Sequence, residues 1–196
     1  PGFGGSCFKK DISNLVYICK YYGLEEVASY WEKVIDINKW QSKRISAIVI
    51  DKLFGTLSQK KIAILGFSFK ANTNDTRESP AIKICNELLE EGAILKIYDP
   101  KVKAGKIKAE FESKICKKEK CTNLENFLQH SNSILEAVEG SDAIIIMTEW
   151  AEFKELDWEK ISTLMRKPSW VFDTRLLTNI NEGKKYGLNV WSVGDG

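Results

Sequence analysis

Between residues 25 and 54 the chain runs thirty residues with neither proline nor glycine. Within that stretch Val27, Tyr30, Trp31, Val34, Ile37, Ile45, Ile48, Val49 and Leu53 recur at helical spacing. One helix of that length spans roughly 45 Å, at about 1.5 Å per residue. No single compact domain needs so long a rod. Such a helix bridges two domains, pairs with another chain, or does both; burial within its own chain is the remaining option. A shorter helix precedes it, with Ile12, Leu15, Val16 and Cys19 on one face and Gly23 as its stop. The stripe around Trp31, Trp40 and Ile45 is expected to be covered by dimerisation.

After Lys60 the pattern changes to short Ile- and Val-rich runs alternating with amphipathic stretches. Strands are predicted at 61–65, 93–98, 143–147, 170–172 and 189–193. Helices are predicted at 79–91, 133–139, 158–165 and near 179–186. Ser79-Pro80 gives a clear helix start, with serine as cap and proline at the first helical position. This alternation argues an α/β fold with a mainly parallel, doubly wound, three-layer sheet. Ligands on such sheets bind beyond the carboxyl ends of the strands. Phe67 to Arg77, Asp99-Pro100, Thr148-Glu149-Trp150 and Asp173 to Arg175 all follow predicted strands, so they are expected to cluster at one sheet edge. The lysine-rich stretch 103–126 reads as a solvated surface excursion without chemistry.

Composition narrows the function classes. The net charge is only +2, which gives no reason to expect nucleic acid. No apolar run approaches the roughly 18 residues of a membrane span. The five cysteines, Cys7, Cys19, Cys85, Cys116 and Cys121, are odd in number and scattered, which points to free thiols and a cytoplasmic setting. Cys116 and Cys121 lack zinc-site spacing, so no metal is expected. His130, the only histidine, lies in a polar stretch and reads as a surface residue.

Chemistry concentrates near the start. Gly2-Phe3-Gly4-Gly5-Ser6-Cys7 delivers a cysteine to the beginning of a helix, with Lys9 and Lys10 close by. Unpaired N–H groups and the positive end of the helix dipole favour a thiolate there. Such surroundings lower a thiol from its usual pKa of about 8.5. Asp11, four residues on, can orient or deprotonate a water. This layout suits covalent cysteine catalysis; it also suits a plain glycine loop ending in a small buried cysteine.

Five motifs in order add to this reading. Gly-Phe-Gly-Gly-Ser-Cys-Phe-Lys-Lys-Asp resembles the catalytic-cysteine motif of the UDP-glucose/GDP-mannose dehydrogenase family. Gly66-Phe67-Ser68-Phe69-Lys70-Ala71-Asn72-Thr73-Asn74-Asp75-Thr76-Arg77-Glu78-Ser79-Pro80, Ile97-Tyr98-Asp99-Pro100-Lys101-Val102, Met147-Thr148-Glu149-Trp150 and Phe172-Asp173-Thr174-Arg175 resemble the same family. The resemblance implies two regions. Residues 1–55 hold the cysteine loop and the central dimerisation helix, and 56–196 form a Rossmann-like UDP-sugar-binding domain. No Gly-x-Gly-x-x-Gly follows an early strand. The family's NAD-binding domain, expected before the cysteine motif, is absent from this sequence. The expectation is therefore a C-terminal part of a larger enzyme, with a glycine loop that has little to hold it.

The resemblance also implies roles. Phe3 and Gly4 wrap the sugar, Phe69 and Lys70 contact the UDP-sugar, and Arg175 binds substrate nucleotide from a neighbouring subunit. Cys7, Phe8, Lys9 and Lys10 face NAD, and Arg77 reaches it. Without the resemblance, Lys70 reads as a solvated side chain, and Arg77 as a partner of Asp75 or Glu78. Cys7 and Asp11 are the implied catalytic pair. The implied reaction is a two-step, NAD-dependent oxidation of UDP-glucose to UDP-glucuronate through a Cys7 thiohemiacetal and thioester. A homodimer, or a higher homo-oligomer, is the implied assembly. Two alternatives stay open. The substrate is GDP-mannose or UDP-N-acetylmannosamine, or these residues alone form a non-catalytic UDP-sugar-binding and dimerisation module.

Overall fold

The computed structural model describes residues 1–115 and 124–194. Helix α1 spans Ser6–Tyr21 and α2 spans Glu25–Lys52. The start of α1 lies ahead of the apolar stripe, so Cys7 stands inside its first turn. The two helices form a hairpin closed by Ile12, Val16, Cys19 and Ala28, with Leu15, Trp31 and Val34 packed against them. The second half of α2 does something else. Its Ile45 and Val49, with Leu53 just beyond, enter the main core of the sheet. The 28-residue helix therefore bridges two hydrophobic cores of one chain over about 42 Å. The expected stripe is split by this arrangement. Ile45 is fully buried, whereas Trp40 is 58% exposed.

The rest is a parallel sheet of six described strands in the order 3-2-1-4-5-6, a doubly wound arrangement. The strands are β1 Lys61–Leu65, β2 Ile94–Tyr98, β3 Leu128–His130, β4 Ala143–Ile146, β5 Trp170–Asp173 and β6 Asn189–Ser192. The register places Ile62 beside both Leu95 and Ala143. β4 is buried at every position, as a central strand covered on both faces must be. One face packs on α2 and on α3 (Pro80–Glu90) through Ile64, Ile84, Leu88, Ile97 and Ile145. The other packs through Ala63, Leu65, Ile144, Ile146 and Val171 on α5 (Ile134–Val138) and α6 (Trp158–Leu164), whose Ala137, Val138, Trp158 and Ile161 are buried. Each fully buried aliphatic side chain contributes about 1.5–3 kcal/mol. The Ser79 hydroxyl accepts from Ala81 N with Pro80 in the first turn, as the dipeptide predicts.

Three expectations need correction. Residues 104–115 are not a solvated excursion but a helix, α4 (Ala104–Ile115), whose Ile107 and Phe111 enter the core. Phe111 meets Phe67, ring centroids 5.8 Å apart. The flanking lysines hid a two-residue apolar stripe, one turn apart. Cys116, Lys117, Lys118, Lys120 and Cys121 lie outside the described residues. His130, expected as a solvated surface residue, ends the edge strand β3 and is half-buried. The third concerns the glycine loop, whose anchors belong to the site.

Candidate functional site

The four predicted motifs do meet at the carboxyl edge of the sheet, and three buried residues join them. Asp99, just past β2, is 5% exposed and accepts six hydrogen bonds. Phe67 N, Ser68 N, Ser68 Oγ and Trp150 Nε1 donate to Oδ2 at 2.7, 3.0, 3.1 and 3.2 Å. Lys101 N and Val102 N donate to Oδ1 at 2.9 and 3.0 Å. One carboxylate thus fixes the loops after β1 and β2 and the turn after β4. Asp173, at the end of β5, does the same locally for Arg175 N, Leu177 N, Thr178 N and Thr178 Oγ1. Thr148 Oγ1 donates to Ser68 O at 2.7 Å. That approach needs a glycine opposite. Gly66 has φ +92°, and a Cβ there would lie 2.5 Å from Thr148 Cβ.

The loop after β1 leaves this scaffold with Phe69 half-buried and Lys70 exposed, the ammonium 5.4 Å from the Phe69 ring centroid. Helix α4 holds the loop's far end. Thr76 Oγ1 donates to Glu110 Oε1 at 2.6 Å, and Lys106 Nζ donates to Asn74 O at 2.6 Å. Arg77 is exposed and pairs with Asp75 through Nε and Nη2. That hydrogen bonding holds the Asp75 carboxyl down at about 2, well below the usual carboxylate range.

The N-terminal loop is seated on this same segment. Gly5 N donates to Arg77 O at 3.0 Å. A Cβ on Gly4 would lie 2.6 Å from Glu78 O and 3.1 Å from Phe69 Cβ. On the other side Asn38 brackets Phe3, accepting from its N–H at 2.8 Å and donating to its carbonyl at 3.0 Å. Ser42 Oγ donates to Pro1 O. The loop expected to have little to hold it is tied to α2 and to the β1 loop. The anchors are Asn38 and Ser42, more than thirty residues away along the chain, so no local pattern announces them.

Cys7 stands exposed in the first turn of α1, which holds no acidic residue and no side-chain cap. Its helix N–H groups are therefore open to an anion. Phe8 is exposed and meets Phe3 edge-on, centroids 4.6 Å apart. Lys9 pairs with Glu78 at 2.9 Å, and Lys10 lies 3.7 Å from Asp11. Arg175 donates from Nε to Met147 O at 2.9 Å and is less exposed than the other cations. The Arg175 charge lies close to Pro1. Phe3, Gly4, Phe69 and Arg77 are thus in one neighbourhood with the Cys7 turn, and Arg175 lies near the loop's first residue. Thr148, Glu149 and Glu110 were missed as site-building residues; the first two sat in a quoted motif without a role.

Among the described residues no three or more His, Cys, Asp and Glu side chains gather to hold a metal ion. None of the described helices is long and apolar enough to cross a membrane.

Residues 63–180 match the UDP binding domain of the UDP-glucose/GDP-mannose dehydrogenase family, and residues 1–40 match its central domain. The UDP-glucose 6-dehydrogenase of Drosophila melanogaster is 46% identical over 193 residues, covering 98% of this chain and 40% of that protein. The Bos taurus UDP-glucose 6-dehydrogenase is 46% identical over 195 residues, covering 98% and 39%. The chain spans about two fifths of the length of these curated relatives. The structure of UDP-D-ManNAc dehydrogenase from Pyrococcus horikoshii has a TM-score of 0.68 at 26% identity, covering 100% of this chain and 39% of that one. A UDP-glucose dehydrogenase from Pyrobaculum islandicum has a TM-score of 0.70 at 22% identity, covering 97% and 37%, and shares the fold.

Proposed function

The chain belongs to the UDP-glucose/GDP-mannose dehydrogenase family, and we propose that it forms the part of a UDP-glucose 6-dehydrogenase that holds the nucleotide sugar and carries the nucleophile. In this reading residues 1–55 carry Cys7 and the dimer-building helix, and 56–196 hold the UDP moiety. The observation that supports it most is the seating of the Cys7 turn on the 69–80 segment. Gly5 N bonds Arg77 O, and Gly4 lies against Phe69 and Glu78. A ligand held by Phe69 and Lys70 therefore has an exposed thiol within its reach.

The family implies a nicotinamide dinucleotide, and the sheet crevice itself does not fit one. A dinucleotide needs a glycine-lined turn after β1 and a free acid at the end of β2. Here Asp99 is buried and spent on six protein donors, and the Ser79 hydroxyl at the α3 start donates inward to Phe67 O. What fits the reactive end of such a cofactor is the open first turn of α1, with Cys7, Phe8, Lys9 and Lys10, and Arg77 nearby. When bound, the cofactor supplies the hydride acceptor for both oxidations of the sugar alcohol.

The chain's own residues supply the rest. Phe69 offers a ring face to stack on, and Lys70 a charge for a phosphate or sugar oxygen. Phe3 and Gly4 enclose the sugar. The Cys7 thiolate adds to the C6 aldehyde and keeps it bound as a thiohemiacetal until it stands as a thioester. Asp11, one helical turn after Cys7, takes the proton from the water that attacks the thioester carbon. The thiolate then leaves and the acid is released. The missing cradle also favours a second statement: these 196 residues alone bind the nucleotide sugar without turning it over.

Calorimetric titration of the chain with UDP, UDP-glucose and GDP tests the nucleotide half of this reading. Binding of both uridine ligands but not GDP is expected. A GDP preference would move the substrate to the mannose branch. For the nucleophile, Cys7→Ser in the full-length protein is expected to abolish UDP-glucose oxidation while leaving UDP-glucose binding in place. Retained oxidation would sink the covalent mechanism.

A further inference from the structure

Glu149 lies between the two loops that the nucleotide reading uses. Its Oε1 accepts from Ala71 N at 3.3 Å, in the loop that carries Phe69 and Lys70. Its Oε2 is shut off from solvent and makes no hydrogen bond among the described residues. The nearest charge is Arg175 Nε, at 3.4 Å. The same Nε donates to Met147 O, so the inner edge of the guanidinium is held from two sides. Asp173 fixes the Arg175 backbone from below through Arg175 N. Among the described residues Arg175 Nη1 and Nη2 make no hydrogen bond; the side chain donates from Nε alone.

We propose that Glu149 is a positioning residue for Arg175. It holds the guanidinium by Nε so that Nη1 and Nη2 face outward as a ready fork for the nucleotide phosphates. This rests on the reading of the site as a nucleotide-sugar site. An arginine meets a phosphate best through two parallel N–H donors in one plane. A long side chain that wanders must lose its rotamer freedom when the ligand arrives. Pinning Nε beforehand removes that cost without using either outer donor. The contact to Ala71 N couples the fork to the Phe69–Lys70 loop, so both sides of the nucleotide are set by one carboxylate. The fork serves its ligand in the same way whichever subunit's nucleotide it meets.

A carboxylate beside Arg175 lowers the positive potential that attracts a phosphate. If Glu149 did nothing else, removing its charge would tighten UDP binding. The experiment is calorimetric titration of the full-length protein with UDP and with uridine, for wild type, Glu149→Gln, Arg175→Ala and the double variant. Gln keeps an oxygen for Ala71 N, and the position is two-fifths exposed, so melting is expected to stay unchanged. Glu149→Gln is expected to weaken UDP binding about tenfold, the scale of one charge-assisted hydrogen bond. Uridine binding should not move. In the Arg175→Ala background the same change should have no further effect. Unchanged or tighter UDP binding by Glu149→Gln overturns the proposal, as does an equal loss with Arg175 already gone. Failure of the wild-type protein to bind UDP at all would instead sink the nucleotide reading, and this proposal with it.

Discussion

Replacing Asp99 by asparagine tests whether the site edge is built on one carboxylate. Asn has a single acceptor oxygen where Asp has two. If that oxygen takes the Oδ2 position, it keeps Phe67 N, Ser68 N, Ser68 Oγ and Trp150 Nε1. Its NH2 group then confronts Lys101 N and Val102 N, two donors left without an acceptor. Each buried group left unsatisfied costs about 1–3 kcal/mol. The change should therefore destabilise by about 2–6 kcal/mol; the flipped amide strands four donors and costs more. In a chain of this size 1 kcal/mol moves Tm by about 2–4 °C. Thermal unfolding followed by far-UV circular dichroism should show Asp99→Asn melting about 5–20 °C below wild type. Glu152→Gln is the control: its partner Tyr98 OH is on the exposed side, and a surface change should stay within about 0.5 kcal/mol. A drop below about 2 °C for Asp99→Asn, or one no larger than the control, would refute the reasoning.

Brief iodoacetamide treatment of the native chain should alkylate exposed Cys7 and spare Cys19 and Cys85, since both are buried and burial pushes the Cys85 thiol up. Peptide mass spectrometry showing Cys85 modified before Cys7 would contradict the placement. The Asp75 carboxyl should titrate near pH 2 by NMR, because the hydrogen bond from Arg77 favours its charged form. Its contribution is therefore complete above the usual carboxylate range and lost as pH falls toward about 2; a midpoint near 4 would mean the pair does not form in solution. Gly66→Ala combines a left-handed backbone with a clash at Thr148, and urea denaturation should show a loss of about 2–6 kcal/mol. A loss under 1 kcal/mol would show that the β1 and β4 loops are not in close contact.

The parallel sheet was legible because its central strands are buried on both faces and must be apolar throughout. Ala143 to Ile146 shows this best. The start of α3 was legible because Ser79 and Pro80 act locally. β3 was not. It has three residues, lies at the edge, and among the described strands pairs only with β2, so Leu128-Gln129-His130 needs no apolar pattern. α4 was hidden because Ile107 and Phe111 are a sparse stripe among lysines; their spacing of four, with Val102 ahead, was the available signal. The motif residues were found, but their division of labour was not. That division depends on contacts such as Asp99 to Phe67, Glu149 to Ala71 and Glu110 to Thr76, separated by 32, 78 and 34 positions. No local rule reaches that far.

The division itself bears on function. Two acids of the motifs point inward and serve backbone: Asp99 and Asp173 are 5% and 0% exposed and accept from main-chain N–H groups. The cations and the thiol are left at the rim. They are not equivalent there. Arg77 and Lys9 are engaged by Asp75 and Glu78, so they must exchange those partners before meeting a cofactor. The Lys9–Glu78 pair is exposed and contributes little to stability, so that exchange is cheap. Lys70 stands out over the Phe69 ring, and among the described residues the Arg175 side chain donates a hydrogen bond from Nε alone. An edge with Asp99 and Asp173 withdrawn into the scaffold, and with Lys70 and Arg175 left with outer donors to offer, is suited to an anionic ligand before any partner arrives. On this argument Lys70 and Arg175 should govern nucleotide affinity. Arg77 and Lys9 should leave UDP binding unchanged and matter only to turnover in the full-length protein. Alanine variants of the four, compared by UDP titration and by oxidation rate, separate the two groups. Equal losses of UDP affinity across all four would show that the rim acts as a uniform positive patch instead.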